Sequence, residues 1–207
     1  MKNLRNISLV GVLLIAVTTS CGPATVTRIG SSQTTDLSGR WNDTDARLVA
    51  ETMIQDMVAR PWRARFMDKH QKEPVLVVGV ILNKSHEHIN PEAFIKDIER
   101  EFINTGVIRI VTHSAFREKL RQERQEQQEF ASAETQKKLG AELGADFMLS
   151  GTITSIVDTQ GKDKVIFYQI NLELADLETG EVQWIGDKKI KKYVGKGRKI
   201  KKRYQGK

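Results

Sequence analysis

The sequence is short of the residues that staple or arm a small protein. One cysteine, Cys21, stands in 207 residues, so an intramolecular disulfide and a Cys/His zinc cluster are both excluded. There are four histidines, His70, His86, His88 and His113, and none lies in a nucleophile elbow or an HExxH pattern. Gly140, Gly144 and Gly151 do not form a dinucleotide fingerprint or a phosphate loop, and no cofactor motif is present. Four prolines and 6% aromatic residues exclude a Pro-rich or aromatic-repeat architecture. Hydrophobic burial is left to hold the fold, and 39% apolar with 29% charged residues suits one soluble body.

Acidic residues are missing from one place only. Lys188 to Lys207 contains eleven Lys/Arg and no Asp or Glu, so the +7 net charge belongs to the C-terminal end. Without it, 22 basic residues face 26 acidic ones and the remainder is −4. No apolar run is long enough to cross a bilayer, which takes about 20 residues. Lys2 and Arg5 precede the apolar stretch Ile7 to Val17, which ends in Thr18, Thr19, Ser20 and Cys21, the order of a secretory signal. Residues 1–20 read as a signal peptide, and the position of Cys21 resembles a bacterial lipobox in which the thiol is acylated and the chain is cut before it. Two or three acyl chains, at about 0.8 kcal/mol per buried CH₂, make such an anchor permanent.

Residues 21–38, rich in Gly, Ser and Thr, read as a tether whose coil spans roughly 20–25 Å. The body follows from 39 to 194. Asp43 is placed as N-cap of a helix with Ala46, Val49, Ala50, Met53, Ile54, Met57 and Val58 on one stripe, closed before Pro61. Val75 to Leu82 is a continuous β-branched run and hence a central strand. Asn90 and Pro91 start a second helix with Phe94, Ile95, Ile98, Phe102 and Ile103 inward, stopped by Gly106. Val107 to Val111 makes a short strand, and Ala115 to Glu129 a helix that is polar all round beyond Arg121. Glu134 to Leu143 is a further helix ended by Gly144. Phe147–Val157, Val165–Leu177 and Val182–Val194 form a meander with turns at Gly161 and Gly180. The class is α+β, a mixed sheet flanked by helices.

His86 and His88 flank Glu87 after the central strand and form the sole metal candidate, although a third convergent ligand is lacking. Residues 195–207 read as a disordered basic tail. Its Lys196, Arg198, Lys199, Lys201, Lys202 and Arg203 suit either an anionic surface, each contributing about 1 kcal/mol near anionic lipid, or a solvated extension that keeps the protein soluble. Only Tyr193 and Tyr204 are interleaved with these cations, which together with export argues against nucleic acid.

Four segments together resemble the outer-membrane lipoprotein activators of penicillin-binding proteins, the LpoB family. They are Ser38-Gly39-Arg40-Trp41-Asn42-Asp43-Thr44-Asp45; Asn83-Lys84-Ser85 with Glu87-His88-Ile89; Gly140 through Ala145-Asp146-Phe147 with Ser150-Gly151-Thr152-Ile153; and Leu174 through Glu181 with Trp184. The resemblance implies a fold similar to the amino-terminal domain of the TolB translocation protein. It further implies an outer-membrane, periplasm-facing protein that is no enzyme and that binds and stimulates a bifunctional peptidoglycan synthase. It assigns no partner-contacting residue. The alternative is an envelope secretion or structural lipoprotein related to the curli-secretion component CsgG, against which stands the absence of a transmembrane hairpin pattern.

Mass spectrometry of membrane-extracted protein should find acyl additions on a peptide beginning at Cys21, and Cys21→Ala should move the protein to the soluble fraction. An unmodified chain beginning elsewhere contradicts the lipobox.

Overall fold

Val75 to Leu82 is apolar at every position, which only a strand covered on both faces can accommodate. In the computed structural model this run is β1 (Val75–Lys84), and its first eight residues are all buried. The structure describes residues 26–30, 33–111, 117–120, 122 and 132–195. The chain divides into two units, 1–33 and 34–207. In the first, the Gln33 N–H donates to the Gly30 carbonyl at 3.0 Å. The second holds all the elements that follow.

Beside β1 lie α1 (Asp43–Ala59), α2 (Trp62–His70), α3 (Pro91–Thr105), β2 (Arg109–Val111), α4 (Ala133–Leu143), β3 (Phe147–Gln160), β4 (Asp163–Asp176) and β5 (Val182–Val194). They build a five-stranded mixed sheet of order β2-β1-β3-β4-β5. β1 runs parallel to both β2 and β3, while β3, β4 and β5 form the antiparallel meander. This is the α+β class expected from the order of the elements.

The main core lies on the sheet face covered by α1, α2 and α3. Period 2 places Ile166, Tyr168, Ile170, Leu172 and Leu174 of β4 there, each at 0% exposure. Val49, Ile54 and Met57 of α1 and Phe94, Ile95, Ile98 and Phe102 of α3 meet them. On the other face Val77, Val80, Leu82, Leu120, Met148 and Leu177 form a smaller cluster, with Leu143 and Ala145 against it.

Local chemistry accounts for several departures from the sequence reading. Asn42, not Asp43, is the N-cap of α1, because Asp45 completes a reciprocal capping box with it. Ile103 is 61% exposed rather than inward, since one step past Phe102 rotates it about 100° off the inward stripe. β2 starts at Arg109 rather than Val107, and β4 stops at Asp176, whose carboxylate turns away to accept the N–H groups of Glu178 and Thr179, both at 2.8 Å. α2 is an element the periodicity did not reveal. Its polar stretch hides two anchors, Trp62 and Phe66, packed edge-on to Phe147 at 5.1 Å each. Of Ala115 to Glu129 only 117–120 and 122 are described, and they are helical. Arg117 there is 1% exposed and donates to Glu99 Oε1 of α3 at 2.9 Å, a buried ion pair that ties this segment to α3.

Among the described glycines, the tightest approach to another strand's backbone is at Gly151. It pairs with Leu172, and a Cβ added to it would stand 2.3 Å from the Asn171 carbonyl oxygen. Gly151→Ala should therefore destabilise by about 2 kcal/mol through strand displacement, read as a lower urea midpoint with unchanged slope. An unchanged midpoint contradicts this packing.

Candidate functional site

The first two of the four signature segments, 38–45 and 83–89, meet at one end of the main core. Asn83 builds the loop after β1. Its Nδ2 donates to the Glu87 carbonyl at 2.7 Å, and its Oδ1 accepts from Ser85 N and Oγ at 3.0 and 2.6 Å. That turn aims Glu87 inward. One carboxylate oxygen of Glu87 accepts the Trp41 N–H at 3.1 Å, and the other accepts the buried Tyr168 hydroxyl at 2.7 Å. The Trp41 ring stands edge-on to both Phe94 (6.0 Å) and Tyr168 (5.7 Å). Burial first, then the Glu87 carboxylate, pushes the Tyr168 phenol far above its ordinary value, so it stays protonated as a donor.

A second clamp holds the strap that leads into α1. Lys192 of β5 has a side chain only 10% exposed. Its ammonium donates to Asp45 Oδ2 (2.6 Å), Asp36 Oδ1 (2.7 Å) and the Arg40 carbonyl (3.0 Å). Asp36 also accepts from Asn42 Nδ2 at 2.7 Å, so residues 34–38, which composition assigns to the tether, carry a point fixed to the sheet. Gly39 adopts φ +69° with a Cβ position 2.2 Å from Val194 Cγ2, a place no side chain fits.

Between strap, α1, loop and α3 opens a cleft of about 390 Å³, lined among others by Arg40, Trp41, Asp43, His88, Ala93 and Asp97. Glu87 has both oxygens engaged at its inner wall, and Asp97 is bonded to Arg100. His88 is exposed at the rim, whereas His86 turns to Ser155, its Nδ1 lying 3.1 Å from the hydroxyl oxygen. The two imidazoles and the carboxylate thus face three ways, and among the described residues no group of three or more His, Cys, Asp or Glu could hold a metal. Arg40 and His88 offer this cleft recognition by hydrogen bonding.

The other two signature segments meet at the opposite end of the sheet. Asp146 accepts from Val75 N at 2.9 Å and from Lys72 Nζ at 2.7 Å, and its carbonyl accepts the Leu177 N–H at 2.9 Å. Trp184 donates its indole N–H to Asp56 at 2.9 Å, tying β5 to α1. A cleft of about 330 Å³ lies here, with Lys69, His70, Lys137 and Glu178 at its rim and Phe66 and Leu177 within. Cys21, Lys196, Arg198, Lys199, Lys201, Lys202 and Arg203 lie outside the described residues. The roles of Glu87, Tyr168 and Lys192 were invisible to motif reading. Only the even spacing of Tyr168 and Lys192 on the core side of their strands hinted at them.

The sequence profile of the family described as peptidoglycan-synthase activator LpoB matches residues 45–190. The chain belongs to the LpoB family. Among solved structures, the LpoB C-terminal domain from Escherichia coli is similar with a TM-score of 0.48 at 16% identity, over 70% of this chain and 98% of that one. The LpoB C-terminal domain from Salmonella enterica gives 0.38 at 16% identity, over 63% and 93% of the two chains. A PelC dodecamer from Paraburkholderia phytofirmans gives 0.36 at 17%, over 58% and 74%. No curated protein matches the chain. Among the described residues of this LpoB-family chain, no helix is long and apolar enough to cross a membrane.

The Lys192 clamp makes the strap sensitive to acid. Hydrogen bonds from Lys192 and Asn42 hold the Asp36 carboxyl below its ordinary 3.8. Burial lowers the Lys192 value, but the bonds and charges of Asp36 and Asp45 outweigh it and leave it above its ordinary 10.5. A lowered carboxyl stabilises fully above its unfolded value and loses that contribution as pH falls through the folded one. A raised ammonium stabilises below its unfolded value and loses it as pH rises through the folded one. The clamp should therefore be constant from about pH 5 to 9 and fail in acid as the pH falls below Asp36's ordinary 3.8, seen as lower amide protection factors, each taken against the unfolded rate at the same pH, in residues 34–41. Lys192→Met, which leaves Asp45 buried without its cation, should cost about 3 kcal/mol at pH 7. Protection factors near one at every pH for residues 34–41 in the unaltered chain contradict the clamp.

Proposed function

We propose that this LpoB-family chain is a lipid-anchored regulator that binds a bifunctional penicillin-binding protein in the periplasm and raises its glycan-polymerising and crosslinking rates. In this reading the body performs no chemistry of its own. The observation that carries it is the family match, which runs through nearly all the elements of the body, from the first turn of α1 into β5. Cys21 serves as the acylated anchor in the outer membrane and the segment after it as the tether. The clamp at Asp36 supports that arrangement, because it ties the end of the tether to the body.

The signature residues also bear on how activation works. Glu87, bonded to Tyr168, and Asp146 and Trp184 are committed to bonds inside the body, leaving exposed side chains to make the partner contact. Binding in this way transmits free energy only through differential contact with two states of the partner, and typical couplings of about 1–3 kcal/mol correspond to 5–150-fold effects.

The test is reconstitution. A soluble form beginning at Gly22, added to purified bifunctional synthase and lipid-linked substrate, should raise the polymerisation rate severalfold while consuming no substrate alone. Unchanged rates with every bifunctional synthase of the same organism contradict the reading.

A further inference from the structure

We infer that the outer edge of β5 is the docking site for the partner, taking an extended acidic segment of the synthase as a sixth strand; this rests on the synthase-activator reading. β5 is the last strand of the sheet and runs thirteen residues, Val182–Val194. Among the described residues no backbone hydrogen bond reaches it from its outer side. In an antiparallel ladder about half of a strand's residues direct their N–H and C=O toward each neighbour, so an open edge is a row of unsatisfied groups ready for another strand. The opposite edge strand, β2, has only three residues.

The charge on β5 selects the occupant. Lys188, Lys189, Lys191 and Lys192 stand against one acid in the strand, Asp187, which lies 3.1 Å from Lys189. Lys192 is spent on Asp36 and Asp45, but Lys189 and Lys191 are exposed. A second copy pairing antiparallel about Ile190 would set Lys188 against Lys192 and Lys189 against Lys191, and like charges placed opposite each other are destabilising. An acidic strand reverses that sign. Toward the start of β5, Val182 and Ile185 are 53% and 65% exposed and give the added strand apolar contacts. The six cations that follow in the sequence, Lys196 to Arg203, extend the same charge.

Amide hydrogen exchange of the full-length chain in detergent, with and without purified synthase, reads the edge directly. Slowing confined to residues 182–192 is expected, together with at least a tenfold loss of synthase affinity in the Lys188→Glu, Lys189→Glu, Lys191→Glu triple variant. A proline placed at Lys188 or at Lys189 supplies a second reading. The one whose N–H points outward should keep the thermal midpoint within a few degrees and lose synthase binding, whereas the other should unfold. Binding with protection elsewhere, or a tolerated proline that binds as the unaltered chain does, overturns the proposal. Slowing that instead rises with the chain's own concentration also overturns it, in favour of a second copy. A synthetic peptide of alternating Val and Glu tests the edge without the synthase. If the synthase fails to bind but this peptide protects β5, the edge stands and the synthase reading falls; if the synthase fails to bind and the peptide leaves β5 unprotected, both fall.

Discussion

One carboxylate, that of Glu87, fixes how three distant parts of the chain meet. Its oxygens take a backbone N–H from the strap and a phenol from the middle of β4, while Asn83 and Ser85 hold its own backbone in place. Without it, a hydroxyl at 0% exposure would be left unbonded, with a cost of about 1–3 kcal/mol, and Trp41 would lose the bond that seats its ring over the end of the core. Seating Trp41 sets the start of α1, and α1 covers the meander. The Lys192 clamp then repeats the same logic from the other side, joining Asp36 and Asp45 to the last strand.

This division of labour explains what a family signature can and cannot convey. The residues that make the chain recognisable, such as Trp41, Asn83, Glu87, Asp146 and Trp184, are engaged with other parts of the body. They specify the LpoB fold by satisfying buried polar groups that would otherwise oppose it. A partner reads what they leave uncovered, and on this body that includes a long strand edge whose lysines discourage self-association and favour an acidic visitor.

Much of the architecture was legible because its periodicities are clean. The 3.6-residue stripe of α1, the Asn90–Pro91 start of α3, the uninterrupted apolar run of β1 and the alternation in β4 each satisfy one pattern without a competing one. α2 was not legible: Pro61 obscures its start, and nine residues with four of them basic expose too few apolar positions to show that Trp62 and Phe66 are anchors. Lys192 was hidden for a different reason. In a run of lysines every member looks solvated, and only the register of β5 against β4 reveals that this one faces Asp36 and Asp45. The candidate clefts depend on loops meeting across the chain, which no local pattern encodes.

Glu87 and Tyr168 act as one structural unit rather than as part of a binding face. A double-mutant cycle with Glu87→Gln and Tyr168→Phe, read by urea unfolding, measures it most directly. The claim predicts a coupling of about 1–2 kcal/mol between the two changes, with synthase affinity per folded molecule unaltered in every variant. Additive stability effects, accompanied by weaker synthase binding in variants that remain fully folded, would contradict it.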